Sequence, residues 1–302
     1  MGHTPAMQPD AIRHDFAEVN GIRLHYASAG AGKLIIFLHG FPEFWYAWRK
    51  QLAEFGRDFL AVAPDMRGYN LSSTPADVAE YDMAKLVGDI RALAEHLAAK
   101  KFYLVGHDWG GVVAWATAMA FPEAVEKLVI INAPHPIVFR RELRENPAQQ
   151  QASEYMTMFR SPQAEALITA NNFANFQEHL LGELLRKGHF SEEDRRQYLE
   201  AWSQPGAITG GLNYYRAAQA GPPEALLGEA FDATRRFPSL NVKAPTLVIW
   251  GEKDPYLLAG NLKGLEEYVP NLKIERFADA THWVVHEKTA EVNSLIRRFL
   301  AG

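Results

Sequence analysis

The segment of residues 106–111, GHDWGG, places Asp108 on a predicted sharp turn between an apolar strand and a helix of small residues. Glycines on both sides allow a strained backbone in which bulkier neighbours would clash. The dipole of the following helix favours an ionised carboxylate, which can attack a saturated carbon and form an ester. A serine here would suit acyl transfer instead. The alternative interpretation is an ordinary glycine-rich turn in which Asp108 only caps the helix.

A second acid and a histidine follow in positions that would complete a nucleophile–acid–histidine set. Asp254 comes after the strand-like segment TLVIW, and His282 lies between the segment KIERF and the last predicted helix. Both would therefore stand at the carboxyl ends of strands, the edge at which sites form in parallel sheets. The chain order nucleophile, acid, histidine favours His282 over the nearby His286 as the base.

A loop that carries a possible oxyanion hole, residues 39–43 (HGFPE), directly follows the apolar run KLIIFL. In hydrolytic enzymes with a nucleophile on a strand-to-helix turn, such a loop supplies one backbone N–H to the oxyanion. The residue after the nucleophile supplies the other. The predicted donors are therefore the N–H groups of Phe41 and Trp109, whereas His39 and Glu43 are predicted to hold the loop.

Apolar runs alternate with helical periodicity in the first and last parts of the chain. An uninterrupted apolar run is typical of a strand buried on both faces, whereas residues 22–27 alternate as in an exposed edge strand. The predicted strands are residues 22–27, 33–38, 59–63, 102–105, 128–131, 246–250 and 273–277. The predicted helices of these parts are residues 44–55, 83–98, 111–121 and 288–300. This alternation predicts an α/β fold with a mostly parallel sheet between helices.

The region 134–240 has no convincing buried strand and is predicted to be all helical. Its predicted helices are residues 152–159, 163–185, 191–202 and 212–220. Ser191 and Asp194 form a capping box at the start of the third. An insertion of roughly 100 residues is much longer than a loop. We therefore predict a core in two parts, 1–133 and 241–302, and a helical cap, 134–240, over the strand ends.

The composition excludes several classes of function. The 302 residues carry a net charge of −5, so there is no basic surplus for binding nucleic acid. The absence of cysteine excludes disulfides, a thiol nucleophile and thiolate metal sites. No metal-ligand spacing is present, and no metal or cofactor is predicted. Without a long apolar run or a signal-peptide pattern, we expect a soluble cytoplasmic protein, monomeric or homodimeric.

Five motifs give the sequence a specific resemblance to the epoxide hydrolase branch of the α/β-hydrolase superfamily, from about residue 15 to the C-terminus. They are HGFPEFWYAWRKQL (39–52), PDMRGYNLSS (64–73), GHDWGG (106–111), GEKDP (251–255) and THW (281–283). The resemblance implies the α/β-hydrolase fold and an enzyme that converts an epoxide and water to a vicinal diol through an ester on Asp108. It also implies that His282, oriented by Asp254, activates the water.

Members of that family carry two cap tyrosines whose hydroxyls bind the epoxide oxygen. The segments EYMTMF (154–159) and GGLNYYR (210–216) resemble the family segments that carry them, and the match falls on Tyr155 and Tyr215. A tyrosine with a pKa near 10 remains protonated at neutral pH, so it can act as a general acid. Tyr214 remains an alternative to Tyr215, because adjacent residues face different sides of a helix.

Three residues are expected to contact the substrate: Phe41, Trp109 and His135. Trp109 would supply both a backbone donor and a wall beside the nucleophile. His135 lies where the core passes into the predicted cap, so a hinge role is its alternative.

Three other functions share parts of this pattern. Haloalkane and haloacid dehalogenases use the same Asp-His-Asp machinery. They often carry a halide-binding Asn at the position of Phe41, or a carboxylate-binding Arg at that of Trp109. A non-catalytic relative that binds a small ligand would not need all three reactive groups. A serine esterase is disfavoured because residue 108 is aspartate.

Overall fold

The structure is a computed structural model that describes residues 12–222 and 239–302. Residues 1–11 and 223–238, which belong to the predicted core and cap, lie outside the described residues. The strands are β1 (Arg13–Val19), β2 (Ile22–Ala29), β3 (Lys33–Leu38), β4 (Phe59–Pro64), β5 (Phe102–His107), β6 (Val125–Ile131), β7 (Thr246–Gly251) and β8 (Leu272–Phe277). They form one sheet in the order β1-β2-β4-β3-β5-β6-β7-β8. β1–β2 and β2–β4 pair antiparallel, and all other neighbours pair parallel.

Helices connect the strands and cover both faces of the sheet. Those of the first and last parts of the chain are α1 (Arg49–Phe55), α2 (Met83–His96) and α3 (Trp109–Ala120), and later α10 (Val284–Glu287) and α11 (Thr289–Ala301). Those between β6 and β7 are α4 (Pro136–Glu145), α5 (Pro147–Ala152), α6 (Tyr155–Arg160), α7 (Ala164–Arg186), α8 (Glu192–Trp202) and α9 (Ala207–Ala218). Short 3₁₀ turns occur at Trp45–Trp48, Val78–Tyr81, Ala259–Leu262 and Leu265–Glu267.

The parallel strands are buried on both faces because successive residues point into two different hydrophobic clusters. In β3, Leu34 and Ile36 join the cluster that includes α2 and α3. Ile35 and Phe37 join the cluster that includes α1 and α11. The apolar run KLIIFL therefore has a physical reason, since a polar residue at any of these four positions would lie in a core.

The prediction that residues 22–27 form an exposed edge strand was wrong. On this side of the sheet the edge strand is β1, which the sequence pattern does not identify. β2 is hydrogen-bonded to β1 on one side and to β4 on the other. Only Ala17 and Val19 of β1 are buried, so its sequence RHDFAEV lacks the apolar signal of a strand. Its register depends on pairing with β2 rather than on burial.

The described residues between β6 and β7 form only helices and loops, as predicted. Helices α4 and α5 were not predicted, and α9 begins at Ala207 rather than at 212. Helix α7 is interrupted by non-helical backbone at residues 170–173. The capping box of Ser191 and Asp194 is present at the start of α8. These helices pack over the carboxyl ends of the strands through aromatic contacts to the loop after β3 and to the start of α3.

Candidate active site

Asp108 occupies a strained turn between β5 and α3. Its backbone has φ 51° and ψ −125°, a region that residues other than glycine rarely adopt. The flanking glycines make the turn possible. A Cβ on Gly106 would lie 2.4 Å from the carbonyl oxygen of Gly110, and one on Gly110 would lie 2.2 Å from that of Leu38. The turn therefore exposes the carboxylate of Asp108 at the carboxyl edge of the central strand.

The two carboxylate oxygens of Asp108 have different partners. Oδ1 accepts a hydrogen bond of 2.8 Å from the backbone N–H of Phe41, in the loop after β3. The backbone N–H of Trp109 also donates to this carboxylate. Oδ2 lies 3.6 Å from Nε2 of His282, and the side chain keeps 13% of its surface exposed. Oδ1 is thus held by the backbone N–H of Phe41, and Oδ2 is available for reaction.

His282 and Asp254 lie within hydrogen-bond distance of each other. Nδ1 of His282 lies 2.7 Å from Oδ2 of Asp254, in the loop after β7. Oδ1 of Asp254 accepts from the backbone N–H groups of Tyr256 and Leu257, at 2.8 and 2.9 Å. The side chain of Asn132, which the sequence did not single out, donates to Oδ2 at 2.7 Å. The only feature of the sequence that could have indicated Asn132 is its position as a polar residue directly after β6.

Burial and charge shift the pKa values of this group in opposite directions. Burial would raise the pKa of Asp108, but its interactions with His282 and the Trp109 N–H lower the pKa below its ordinary value. Burial would lower the pKa of His282, but the neighbouring Asp254 and Asp108 raise it to about 10. The carboxylate of Asp108 and the imidazole of His282 therefore each favour the charged form of the other.

A cavity of about 240 Å³ opens in front of Asp108, with its outer rim at the exposed side chains of Met158 and Leu167. Its walls are mainly apolar. They consist of Phe41, Asp108, Tyr155, Met158, Phe159, Leu167, Ile168, Asn175, Phe176, His179, Leu180, Tyr215, Tyr256, His282 and Trp283. A smaller cavity of about 40 Å³ adjoins Asp108, Trp109, Tyr155 and Tyr215 on another side. Five of the predicted site residues therefore line one space large enough for a small organic molecule: Phe41, Asp108, Tyr155, Tyr215 and His282.

Tyr155 and Tyr215 both line the larger cavity, and their ring centroids lie 6.3 Å apart. Burial and the nearby charge of Asp108 raise the pKa of both hydroxyls well above the ordinary value. Tyr214 points elsewhere, because its hydroxyl donates to the carbonyl oxygen of Arg67 at 2.8 Å. Of the two adjacent tyrosines, only Tyr215 faces Asp108.

Comparisons with known proteins agree with this architecture. Residues 33–289 match the family model described as alpha/beta hydrolase fold. The chain is 39% identical to AB hydrolase superfamily protein YfhM of Bacillus subtilis, covering 96% of this chain and 99% of that protein. It is 36% identical to human epoxide hydrolase 4, covering 99% of this chain and 82% of that protein.

A solved structure shows the same fold. The epoxide hydrolase of Bacillus megaterium in complex with an inhibitor superimposes with a TM-score of 0.89 at 40% identity, covering 95% of this chain and all of that one. The chain belongs to the epoxide hydrolase branch of the α/β-hydrolase family. The eight-stranded, mostly parallel sheet with helices on both faces is the α/β-hydrolase fold that the sequence predicts.

His135 is not among the residues of this α/β-hydrolase that line either cavity next to Asp108. Its buried ring stacks on Tyr268 with centroids 4.9 Å apart, and its Nε2 lies 3.2 Å from the carbonyl oxygen of Leu240. Burial lowers the pKa of His135 to about 4, so the ring is neutral at physiological pH. The structure thus does not bring His135 to the candidate substrate space.

A buried polar network lies beneath the α/β-hydrolase site and centres on Glu43. Its carboxylate is within hydrogen-bond distance of His286 (2.7 Å), His107 (3.2 Å) and the hydroxyl of Tyr198 in α8 (2.7 Å). Burial would raise the pKa of Glu43, but His286 and His107 hold it well below its ordinary value. His107 also reaches the backbone carbonyl of His282, at 2.9 Å. Glu43 therefore supports the loop that carries His282 indirectly, through His107.

Among residues 12–222 and 239–302, no three His, Cys, Asp or Glu side chains are grouped so that they could hold a metal ion. In the same part of the chain, no helix has the length and apolar character needed to cross a membrane.

Proposed function

We propose that this protein is an epoxide hydrolase that forms a covalent ester on Asp108. The observation that carries the proposal is that Asp108, Tyr155, Tyr215 and His282 line the same cavity. The names of the relatives, human epoxide hydrolase 4 and the Bacillus megaterium enzyme, support the same activity. The dehalogenase alternative has no such support, because Phe41 offers the cavity no polar side-chain hydrogen for a halide.

In the first step, Oδ2 of Asp108 attacks one epoxide carbon and the carbon–oxygen bond of the ring breaks. Tyr155 and Tyr215 bind the ring oxygen, and one of them transfers its proton to the developing alkoxide. The charge of Asp108 contributes to their high pKa values. As the ester forms, that charge disappears, so the tyrosines become stronger acids at the moment when a proton is required.

In the second step, His282 accepts a proton from water, and the resulting hydroxide attacks the ester carbonyl carbon. The pKa of about 10 in the resting protein depends on both Asp108 and Asp254. Ester formation removes the charge of Asp108, which lowers the pKa of His282, so the ring releases its proton to solvent and becomes a neutral base. It takes up a proton from solvent again when the free carboxylate of Asp108 is restored. Asp254 keeps its charge and holds the ring through Nδ1.

The tetrahedral oxyanion forms at Oδ1, where the N–H of Phe41 already donates in the resting protein. The N–H of Trp109 is the second donor. When the intermediate collapses, the alkoxide of the diol leaves with the proton held by His282. The carboxylic acid of Asp108 then returns its own proton to the tyrosinate. The sum is one epoxide and one water converted to one diol.

The helical segment 134–240 acts in this proposal as a cap that excludes bulk water and carries both tyrosines. Two of its contacts with the core are made at the reaction centre. The Phe41 ring lies 5.6 Å from that of Tyr215, and the Trp109 ring lies 5.1 Å from it, both edge to face. Phe41 and Trp109 then contact the substrate through their rings, in addition to their backbone roles.

Product analysis tests the proposal. Purified protein is incubated separately with a terminal aryl epoxide, a small haloalkane and fluoroacetate, and diol and halide are quantified. We expect diol from the epoxide, no halide from the other two, and no diol from Asp108→Asn. Halide release without diol would identify a dehalogenase, and binding without turnover would identify a ligand-binding relative.

A further inference from the structure

Three polar side chains in the outer part of the cavity have no role in the reaction described above. They are Asn175 and His179 on α7, and Tyr256 in the loop after β7. The remaining walls of this outer part are carbon, from Leu167, Ile168, Phe176 and Leu180 among others. A hydrocarbon substrate would use only the carbon walls.

Tyr256 extends from the reaction centre towards the mouth of the cavity. Its ring meets that of His282 edge to face, with centroids 5.5 Å apart. Its hydroxyl lies 2.9 Å from Nε2 of His179. Tyr256 therefore connects the ring of the base to the exposed side chain of His179, where the outer part of a bound substrate would pass.

The second half of α7 turns a polar stripe and an apolar stripe to this space. Asn175 and His179 are four residues apart, so they share one side of the helix, and Phe176 and Leu180 share the adjacent side. His179 is an exposed residue. The amide of Asn175 forms no hydrogen bond to any described residue. Both side chains are thus available to a ligand.

We infer that Asn175, His179 and Tyr256 form a subsite for an oxygen function on the larger substituent of the epoxide, such as an ether, hydroxyl or carboxyl group. This inference rests on the proposed epoxide hydrolase activity. A hydroxyl both donates and accepts, so the Tyr256 hydroxyl keeps one capacity for the substrate when His179 uses the other. The side-chain amide of Asn175 provides both a hydrogen-bond donor and an acceptor next to the Tyr256 hydroxyl.

Matched substrates test the subsite. Terminal epoxides of equal chain length carry a methyl, methoxy, hydroxyl or carboxylate group at the far end, and kcat/KM is measured for each. We expect at least one oxygen-bearing substrate to exceed the methyl-terminated one by about fivefold, the factor of a single net hydrogen bond. The comparison of the three oxygen groups identifies which one the subsite prefers.

Two variants locate the effect. Tyr256→Phe and His179→Leu are expected to reduce the preference, expressed as the ratio of kcat/KM values, to about one. The loss should appear mainly in KM, because the contact is made equally in the ground and transition states. Glu178→Leu is the matched control, since Glu178 lies on the same helix, pairs with Arg186 and does not line the cavity. It should retain the ratio.

The outcomes separate the two proposals. Equal kcat/KM for all four epoxides, or a preference unchanged in both variants, would overturn the subsite while diol formation still supports the hydrolase. Absence of diol from every substrate would instead overturn the proposed function.

Discussion

At the scale of single residues, Asp108 assigns different tasks to its two oxygens. Oδ1 is held by the backbone N–H of Phe41, and Oδ2 faces His282 at a distance of 3.6 Å. That distance is too long for a direct hydrogen bond. In the proposed mechanism, His282 therefore leaves Oδ2 free to attack and becomes a base only after the ester has replaced one carboxylate beside it.

The variant His282→Gln should form the ester and fail to hydrolyse it. Steady-state turnover should fall by about 10²–10⁴-fold, the usual contribution of a general base. Mass spectrometry of the intact protein should then show an increase equal to the mass of the epoxide. Asp108→Asn is the control and should show no adduct. If the His282 variant shows no adduct either, the two-step scheme is wrong.

The adjacent tyrosines provide a matched pair of variants. Tyr215→Phe should slow ester formation in single-turnover measurements, and the double variant with Tyr155→Phe should slow it further, because each hydroxyl binds the ring oxygen. Tyr214→Phe removes only the hydrogen bond to the carbonyl of Arg67. It should cost about 1 kcal/mol of stability and leave ester formation unchanged. The reverse pattern would assign the acid to Tyr214.

At the scale of elements, the turn between β5 and α3 depends on close backbone contact. Helix α3 begins directly after Asp108, and Gly110 in its first turn packs against the end of β3. This contact holds Asp108 at a distance from the loop after β3 at which the N–H of Phe41 can reach Oδ1. The oxyanion donors are therefore a consequence of helix–strand packing.

Gly110→Ala tests that packing. A Cβ would lie 2.2 Å from the carbonyl oxygen of Leu38, so α3 must shift, at a cost of about 1–3 kcal/mol. We expect a lower free energy of unfolding in urea and a lower kcat. Gly188→Ala is the comparison, because its φ is +73° but nothing lies within 4 Å of its Cβ position. That variant should lose stability and keep kcat; a similar loss of kcat in both would contradict the argument.

Helix α8 is joined to the core by a buried hydrogen bond from Tyr198 to Glu43. Hydrogen bonds to charged groups contribute about 1.5–3 kcal/mol. Tyr198→Phe should lower the free energy of unfolding by that amount, as measured in urea. Tyr103→Phe removes an exposed hydrogen bond to Lys33 and should change it by less than about 0.5 kcal/mol. Equal changes in the free energy of unfolding for the two variants would mean that the hydrogen bond from Tyr198 to Glu43 does not stabilise the fold.

At the scale of the whole molecule, the charges of the site link stability to pH. The pKa of His282 is raised from 6.5 to about 10 in the folded protein. Its contribution to stability is therefore complete below pH 6.5 and is lost as the pH rises through about 10. The difference in unfolding free energy between wild type and His282→Gln should decrease from pH 7 to pH 10. A constant difference across urea titrations would show that the histidine is not charged in the folded protein.

Local patterns in the sequence determined the fold class and the order of its elements. The run KLIIFL predicts residues 33–38, and the structure has β3 at Lys33–Leu38. Strands buried on both faces are the easiest to identify, because every position must be apolar. The glycines around Asp108 and the strand ends before Asp254 and His282 follow from the same local rules. Strand β1 was not predicted, because its strand conformation depends on pairing with β2 rather than on a local pattern of buried residues.

Only the tertiary structure decided which side chains share a space. Whether Tyr214 or Tyr215 faces Asp108 depends on the rotation of α9 about its own axis as it packs against Arg67. No local sequence pattern specifies that rotation. The same holds for Asn132 on Asp254, which joins residues 122 positions apart. His135 has the position of a pocket residue in the sequence but stacks on Tyr268. Contacts between distant parts of the chain are set by the packing of whole elements, so they become visible only in the folded protein.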